Sequence, residues 1–297
     1  MIDQRFITFL ELCNTMNYTK TAKNLHMIQP AVTHHIHYIE SLYNIKLFTY
    51  TGKNLNITEQ GKVLRELLRS LYNDSIKIEE KIKELPFIGK KINFGATLTI
   101  GEYVMPIPLR NYIIKNPDAK IIMQVDNTEM LINMIKEGKI DFAIIEGKFD
   151  KNDYDYRLFS VEEFIGVVSP KHRFAKKEIE FSDIFKERFI AREPGSGTRS
   201  IFEDYLMEQN RSINSFQSYM EIGNLNTIKN LVKDNMEITF LYKAAAKSEI
   251  ERGELCQLNI KNYSIKREFN FVALKNSMFI QEYTEFFDFC KKIYTDL

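Results

Sequence analysis

The sequence is poor in the residues that staple or anchor a chain. Only three of its 297 residues are cysteine, Cys13, Cys256 and Cys290, an odd number with no Cys-x-x-Cys pair. That excludes a disulfide framework and a zinc ribbon and leaves the three as expected buried, small apolar positions. No run of eighteen apolar residues occurs, so no membrane-spanning helix is expected. The start, Met1-Ile2-Asp3-Gln4-Arg5, lacks the basic and apolar regions of a secretory signal, and a cytoplasmic protein is expected. Charge of one sign is missing too: 41 Lys and Arg meet 40 Asp and Glu, for a net charge of +1. Within the first sixty residues basic groups barely outnumber acidic ones, so bulk electrostatics identifies no nucleic-acid binder and pattern must.

What is present is ordinary globular material, 44% hydrophobic and 27% charged, long enough for two or three units of about 100 to 200 residues each. Its most informative stretch is residues 29–40. On a helix of 3.6 residues per turn, Val32, Ile36, Ile39 and Tyr43 line one side, while Pro30, Thr33, His34, His37 and Ser41 line the other. One face packs and the other is free to read something. Upstream, Phe6, Phe9, Leu10 and Cys13 mark a first helix, and Thr19 is the expected N-cap of a short second one. Two short helices with a tight joint predict a helix-turn-helix. Residues 46–48 and 54–57, around Thr51-Gly52-Lys53, predict a small hairpin wing.

Thr58 is placed to cap a long helix reaching Leu85 and stopped by Pro86 and Gly89. Leu64, Leu68, Leu71, Ser75, Ile78, Ile82 and Leu85 alternate steps of four and three, a heptad seam that predicts helix-to-helix dimerisation. From Lys91 strands and helices alternate. Strands are expected at residues 92–96, 120–125, 142–145 and 164–168, with helices at about 99–115 and 128–137. The pattern restarts with strands at 189–191, 218–222 and 238–241 and helices at about 197–209 and 225–234. A strand at 269–274 and a helix at 279–294 close it. Alternation of this kind predicts parallel sheets with crossover helices, in two α/β lobes with a small-molecule crevice between them.

The spaced residues Ala22, Leu25, Gln29-Pro30-Ala31-Val32-Thr33, Ile36, Ile39-Glu40, Leu47-Phe48, Gly52, Leu55, Thr58-Glu59 and Gly61 resemble the LysR-type transcriptional regulators, and the resemblance runs the length of the chain. It implies a winged helix-turn-helix at 1–60, a dimerising linker helix and hinge at 61–90, and a two-lobed α/β effector domain at 91–297 similar to periplasmic binding proteins. Lobe I would take about 91–162 and 268–297, and lobe II about 163–267. The partners implied are promoter DNA, a small effector, further copies of the chain as a homodimer or homotetramer, and RNA polymerase, with no cofactor. The family's DNA-contacting positions fall on Gln29, Pro30, Thr33, His34 and His37, with Lys53 in the wing. A Gln amide can pair bidentately with adenine in the major groove, and a wing lysine anchors on phosphate. Three departures stand out. Ile28 occupies a position usually held by Ser and cannot cap the reading helix, at a cost of about 1 kcal/mol. His34 and His37 stand where one or both positions usually carry Arg, and Thr49-Tyr50 stands where an acidic residue and Arg are common.

Threonine, asparagine and serine recur where helices follow strands: Thr97 and Thr99, Asn127 and Thr128, Ser196, Gly197 and Thr198. Helix N-termini present unpaired N–H groups and partial positive charge, so several converging on one crevice would hold a small anion. By resemblance Thr97, Thr99, Ser196 and Thr198 contact the effector, with Asn127, Thr128 and Gly197 beside them. Residues 95–103 with 192–199 look like the subgroup governing sulfur assimilation and inorganic-anion metabolism, which implies a sulfur oxyanion or a small carboxylate. Arg192 and Arg199 are expected to pair with carboxylates, and Glu146 to repel an anion unless protonated or paired.

Other readings are weaker. His34 and His37 lie one turn apart, but no cysteine or placed carboxylate completes a metal set. They can serve as neutral hydrogen-bond donors or as a pH-dependent contact. Gly195-Ser196-Gly197 has a faint likeness to a nucleophile elbow, yet the only histidine beyond residue 37 is His172, in the basic run Lys171-His172-Arg173, so no catalytic residue is assigned. The two-lobed half alone would also fit a solute-binding protein, which the added winged helix-turn-helix argues against.

Overall fold

A computed structural model describes residues 2–85 and 89–296 of the chain; the helix stop read at Pro86 lies outside them. The N-terminal unit consists of α1 (Gln4–Thr15), α2 (Tyr18–Asn24), α3 (Gln29–Tyr43), the hairpin β1 (Phe48–Thr51) and β2 (Asn54–Ile57), and the start of α4 (Glu59–Lys83). Its core gathers Phe9, Leu12, Ile36, Ile39, Leu47 and Leu68, the apolar stripes of three helices meeting the base of the hairpin.

Three details differ from expectation. Asn17, not Thr19, caps α2, its side chain accepting from Lys20 N at 2.9 Å, because Asn17 has the extended backbone a cap requires. The first wing strand is 48–51 rather than 46–48. The Leu47 amide is taken by Glu40 Oε1 and the Lys46 carbonyl by the Thr58 hydroxyl, so neither joins the hairpin ladder. Tyr43 is half exposed rather than packed, since α3 outruns the core beneath it.

Gly61 locks the wing to α4. Its amide donates to Thr58 Oγ1 at 3.0 Å, and a Cβ there would lie 2.5 Å from Leu47 O and 2.6 Å from Ile57 Cγ1. Backbone oxygen cannot step aside cheaply, so Gly61→Ala is expected to cost about 1–3 kcal/mol of stability in this unit. Denaturation of the isolated variant chain, followed alongside DNA binding, checks it. A variant as stable as the parent would mean the hairpin can shift at no cost.

The C-terminal unit contains β3 (Lys91–Ala96), a π-helical turn at Ile100–Val104, α5 (Pro106–Lys115), β4 (Lys120–Val125), α6 (Thr128–Lys136), β5 (Phe142–Glu146), β6 (Tyr154–Val168) and β7 (Glu178–Ile179). It continues through β8 (Arg188–Ala191), α7 (Gly197–Glu208), β9 (Ser218–Glu221), α8 (Leu225–Lys233), β10 (Ile238–Tyr242) and α9 (Lys243–Glu251) to β11 (Cys256–Gln257), β12 (Asn259–Ile260), β13 (Ile265–Leu274) and α10 (Ile280–Thr295). Strand order is β4-β3-β5-β13-β6-β10-β8-β9, with β11 against β6. Parallel trios β4-β3-β5 and β10-β8-β9 form the two lobes. The long antiparallel pair β6 and β13 joins them, with an irregularity between Phe269 and Asn270. At its far end β6 pairs with β10, while the last part of β13 pairs with β5. The first ten residues of β6 and all of α9 were not expected from the sequence.

α4 bridges the two units. Its Leu64 and Leu68 pack into the N-terminal core, and a polar face docks on the first lobe. There Ser70 Oγ donates to Lys275 O (2.7 Å), Asn73 Nδ2 to Ile135 O (2.8 Å), and Ser277 Oγ and Met278 N to Asp74 (2.7 and 2.8 Å), while Lys77 pairs with Asp141 (2.9 Å). The expected heptad seam is therefore divided. Leu64, Leu68 and Ser75 face their own chain, and the apolar residues left exposed are Val63, Leu67 and Leu71, then Ile82 and Leu85. A straight helix drifts off a strict 3.5-residue repeat, and intramolecular packing took the residues on one side of it. Of the cysteines Cys290 is buried, and Cys13 and Cys256 are partly buried at the margins of their cores.

Candidate functional site

The free face of α3 is as the sequence arranged it. Gln29, Pro30, His34 and His37 are exposed, and Thr33 is half-buried with its hydroxyl donating to Gln29 O at 3.2 Å. Pro30 occupies the first turn, and Ile28 stands at the N-cap with no side-chain hydrogen bond, while its carbonyl accepts from Ala31 N at 3.0 Å. His37 Nδ1 lies 3.3 Å from Glu40 Oε2, and Glu40 is buried with Lys46 Nζ at 2.9 Å. One ring nitrogen of His37 is thus anchored while the side chain stays mostly exposed. His35 is half-buried and turned to α1: its Nδ1 is 2.9 Å from the Thr8 hydroxyl, and desolvation pushes its pKa down. Lys53 projects from the exposed turn between β1 and β2, beside Gly52, whose φ of +63° suits glycine. Among the described residues no cluster of three or more His, Cys, Asp or Glu side chains is placed to hold a metal ion, and no helix is long and apolar enough to cross a membrane.

Between the lobes, at the C-terminal ends of β3, β5 and β8, lies a cavity of about 220 Å³. Thr97, Asn127, Glu146, Arg192, Ser196 and Gly197 are among its lining residues. Parallel strands ending beside helix starts make this the natural ligand position of an α/β lobe. Asn127 caps α6 through its side chain, accepting from Met130 N at 2.9 Å. Ser196 caps α7 without a side-chain bond to the helix and is buried. Thr97, 2% exposed, has a hydroxyl with no hydrogen-bond partner. Arg192, 7% exposed, gives Nε and Nη2 to Glu193 at 2.7 and 2.8 Å and leaves Nη1 unpartnered.

The other three expected residues converge on Glu146 instead of the open cavity. Thr198 and Thr99 hydroxyls lie 3.0 and 3.5 Å from its Oε1, and the Thr128 hydroxyl donates to its carbonyl at 2.5 Å. Gly197 serves the same approach, because a Cβ there would come within 3.1 Å of Glu146 Cγ. Glu146 is 3% exposed and its Oε2 has no partner. Burial pushes its carboxyl up to about 7, against the lowering pull of the Thr198 hydrogen bond, the Arg192 charge and the Thr99 contact. Arg199 is a structural tie, bonded to Glu203, Glu221 and the Arg192 carbonyl. Leu98, Val125, Asp126, Glu193 and Gly223 also line the cavity and were not singled out from sequence. Their only signal is position at a strand's C-terminal end.

Residues 4–62 match the model described as "Bacterial regulatory helix-turn-helix protein, lysR family", and residues 88–294 match "LysR substrate binding domain". A probable RuBisCO transcriptional regulator of Cyanidium caldarium is 28% identical over 86% of this chain and 83% of its own. The HTH-type transcriptional regulator CysL of Bacillus subtilis is 26% identical over 89% and 88%. Among solved structures, an OxyR mutant of Corynebacterium glutamicum superposes over 99% of this chain and 92% of its own, with a TM-score of 0.63 and 19% identity. The regulatory domain of Synechocystis CcmR in complex with 2-PG covers 67% of this chain and 95% of its own, with a TM-score of 0.60 and 24% identity. A helix-turn-helix joined to the effector module sets the solute-binding alternative aside, and neither unit is that of an enzyme. With both of its units matched to one family, in the order and over the lengths the fold displays, the chain belongs to the LysR family of transcriptional regulators.

Proposed function

We propose that this regulator reads promoter DNA with Gln29, Pro30, Thr33, His34, His37 and the wing residue Lys53, under control of a small anionic effector held between its lobes. The observation carrying the effector reading is the pair of buried, unpartnered donors, Thr97 Oγ1 and Arg192 Nη1, on one small cavity beside the unbonded Ser196 cap of α7. Buried donors without acceptors are costly unless a ligand answers them. Thr97, Ser196, Gly197 and Asn127 would meet it directly, while Thr99, Thr128 and Thr198 set the Glu146 wall. A sulfur oxyanion or a small carboxylate fits these donors, and the likeness to a CcmR domain carrying 2-PG supports a small ligand at this place. Thermal shift of the full chain with sulfate, thiosulfate, acetate and lactate tests this. A rise in Tm that disappears when Thr97→Ala and Ser196→Ala are combined is expected, and a rise that survives the double variant, or no rise with these or any other small carboxylate-bearing molecule, would remove the reading.

Units at 1–60, 61–90 and 91–297, with lobes dividing near residues 163 and 268, give the working layout of a cytoplasmic regulator that answers to RNA polymerase. Assembly as a homodimer or homotetramer is supported by the exposed Val63, Leu67 and Leu71 and by an apolar groove that Val63 and Leu67 share with Tyr43 and Ile45.

For DNA, Gln29→Ala is expected to weaken specific binding about ten- to a hundredfold, because one bidentate base contact discriminates by about 1–3 kcal/mol. Gel shift on a fragment selected by the parent chain measures it, with gel filtration showing an unchanged assembly. Equal binding by parent and variant would move base reading off Gln29.

A further inference from the structure

The charge on the cavity wall narrows the effector further. One cation, Arg192, faces three carboxylates, Asp126, Glu146 and Glu193, and two of the Arg192 N–H groups are already spent on Glu193. A plain oxyanion seated on Thr97 and Arg192 Nη1 would answer those donors but add negative charge beside an acidic wall. It would also leave Glu146 Oε2 buried and unpartnered. Two opposite needs thus share one cavity: donors lacking an acceptor at Thr97 and Arg192, and an acceptor lacking a donor at Glu146. The space, about 220 Å³, is below the ~300 Å³ at which drug-sized pockets begin, so both needs must be met by a molecule of few atoms.

We propose that the cleft takes a small zwitterion of the α-amino acid class, its carboxylate on Thr97, Ser196 and Arg192 Nη1 and its ammonium group on Glu146 Oε2. This rests on the reading that the effector's anionic group sits on those donors and adds the second pole. Thr99 and Thr198 occupy the other oxygen of Glu146, which leaves Oε2 unpartnered for the ligand. The charged and titratable groups around Glu146 are Arg192 and Glu193, after β8, and Tyr242, at the end of β10. Burial, with Glu146 nearby, pushes the Tyr242 hydroxyl well above its usual range, so it stays neutral. Ammonium binding requires Glu146 ionised, and its carboxyl titrates near 7 in the free protein. Binding therefore releases a proton, and affinity rises with pH up to about that value.

The experiment is calorimetric titration and thermal shift of the full-length chain with the twenty α-amino acids. Lactate, propionate and glycerate serve as ammonium-free counterparts of alanine and serine, and sulfate as a plain oxyanion. At least one amino acid is expected to bind tenfold or more tighter than the ammonium-free acids, with affinity rising several-fold from pH 6 to pH 7.5. Glu146→Gln should remove that preference while retaining carboxylate binding, and Thr97→Ala should weaken both classes. If lactate, propionate, glycerate or sulfate binds and no amino acid binds more tightly, or if affinity falls as pH rises, the zwitterion is overturned and the anion reading stands. If none of these probes binds, both are overturned.

Discussion

At pH 8 the Glu146→Gln variant is expected to unfold well above the parent chain, and at pH 5 most of that advantage is gone. Glu146 titrates at about 7 in the folded protein, against 4.5 for an unhindered glutamate, because burial disfavours its charge. Between those values the folded state holds a proton that the unfolded state has lost, so parent stability falls as pH rises through this window. Below 4.5 both states are protonated and nothing is lost, whereas above 7 the whole penalty is present. Two and a half pH units correspond to about 3 kcal/mol. Glutamine keeps an acceptor for Thr198 and Thr99 and carries no charge, so it escapes the penalty, and roughly 6–10 °C in Tm follows for a unit of this size. Calorimetry of both chains from pH 5 to 8 provides the check. Parallel Tm curves would mean that solvent or a shifted Arg192 already relieves the charge.

Phe142→Ala is expected to act in the opposite direction, costing about 3–5 kcal/mol, the range for removing a buried ring. Phe142 is 1% exposed at the start of β5, with ring centroids 5.4 Å from Phe94, 5.2 Å from Phe271, 5.5 Å from Tyr283 and 5.9 Å from Phe286. These neighbours come from β3, β13 and α10, so no single element can move into the space. β5 ends at Glu146, so the loss should blunt effector-induced stabilisation as well. Chemical denaturation measures the cost, with Phe142→Leu as the milder partner. A cost below about 1 kcal/mol would show that the aromatic cluster closes over the gap.

The free and buried faces of α3 were legible because one helix met one core: Val32, Ile36 and Ile39 are fully buried in register. Most lobe strands were legible for a similar reason, being short apolar runs between helices. β6 was not. Its first ten residues mix Asp155, Arg157, Glu162 and Glu163 with apolar positions because the strand passes from one lobe to the other and changes what covers each face. The N-cap of α2 was misassigned because Asn17 and Thr19 have the same capping chemistry, and only backbone angles separate them. In the cleft between the lobes the helix-start residues could be named, but their division of labour could not. Thr99, Glu146 and Thr198 are about fifty positions apart in the chain, and which oxygen receives which hydroxyl follows from how the lobes close. The unpaired nitrogen of Arg192 depends likewise on where Glu193 turns.

The polar mounting of α4 on the first lobe has a mechanical consequence. Its 25 residues make a rod about 37 Å long, fixed to the lobe around Ser70, Asn73, Asp74 and Lys77 and carrying the N-terminal core on Leu64 and Leu68. From Asp74 to the start of the helix at Glu59 the arm is about 22 Å, so a tilt of about 5° at the mounting displaces that end by about 2 Å. Gearing of this kind would carry a small angular adjustment at the mounting to the unit that meets the duplex, so the lobe and the reader are coupled through one rod rather than through a loose hinge.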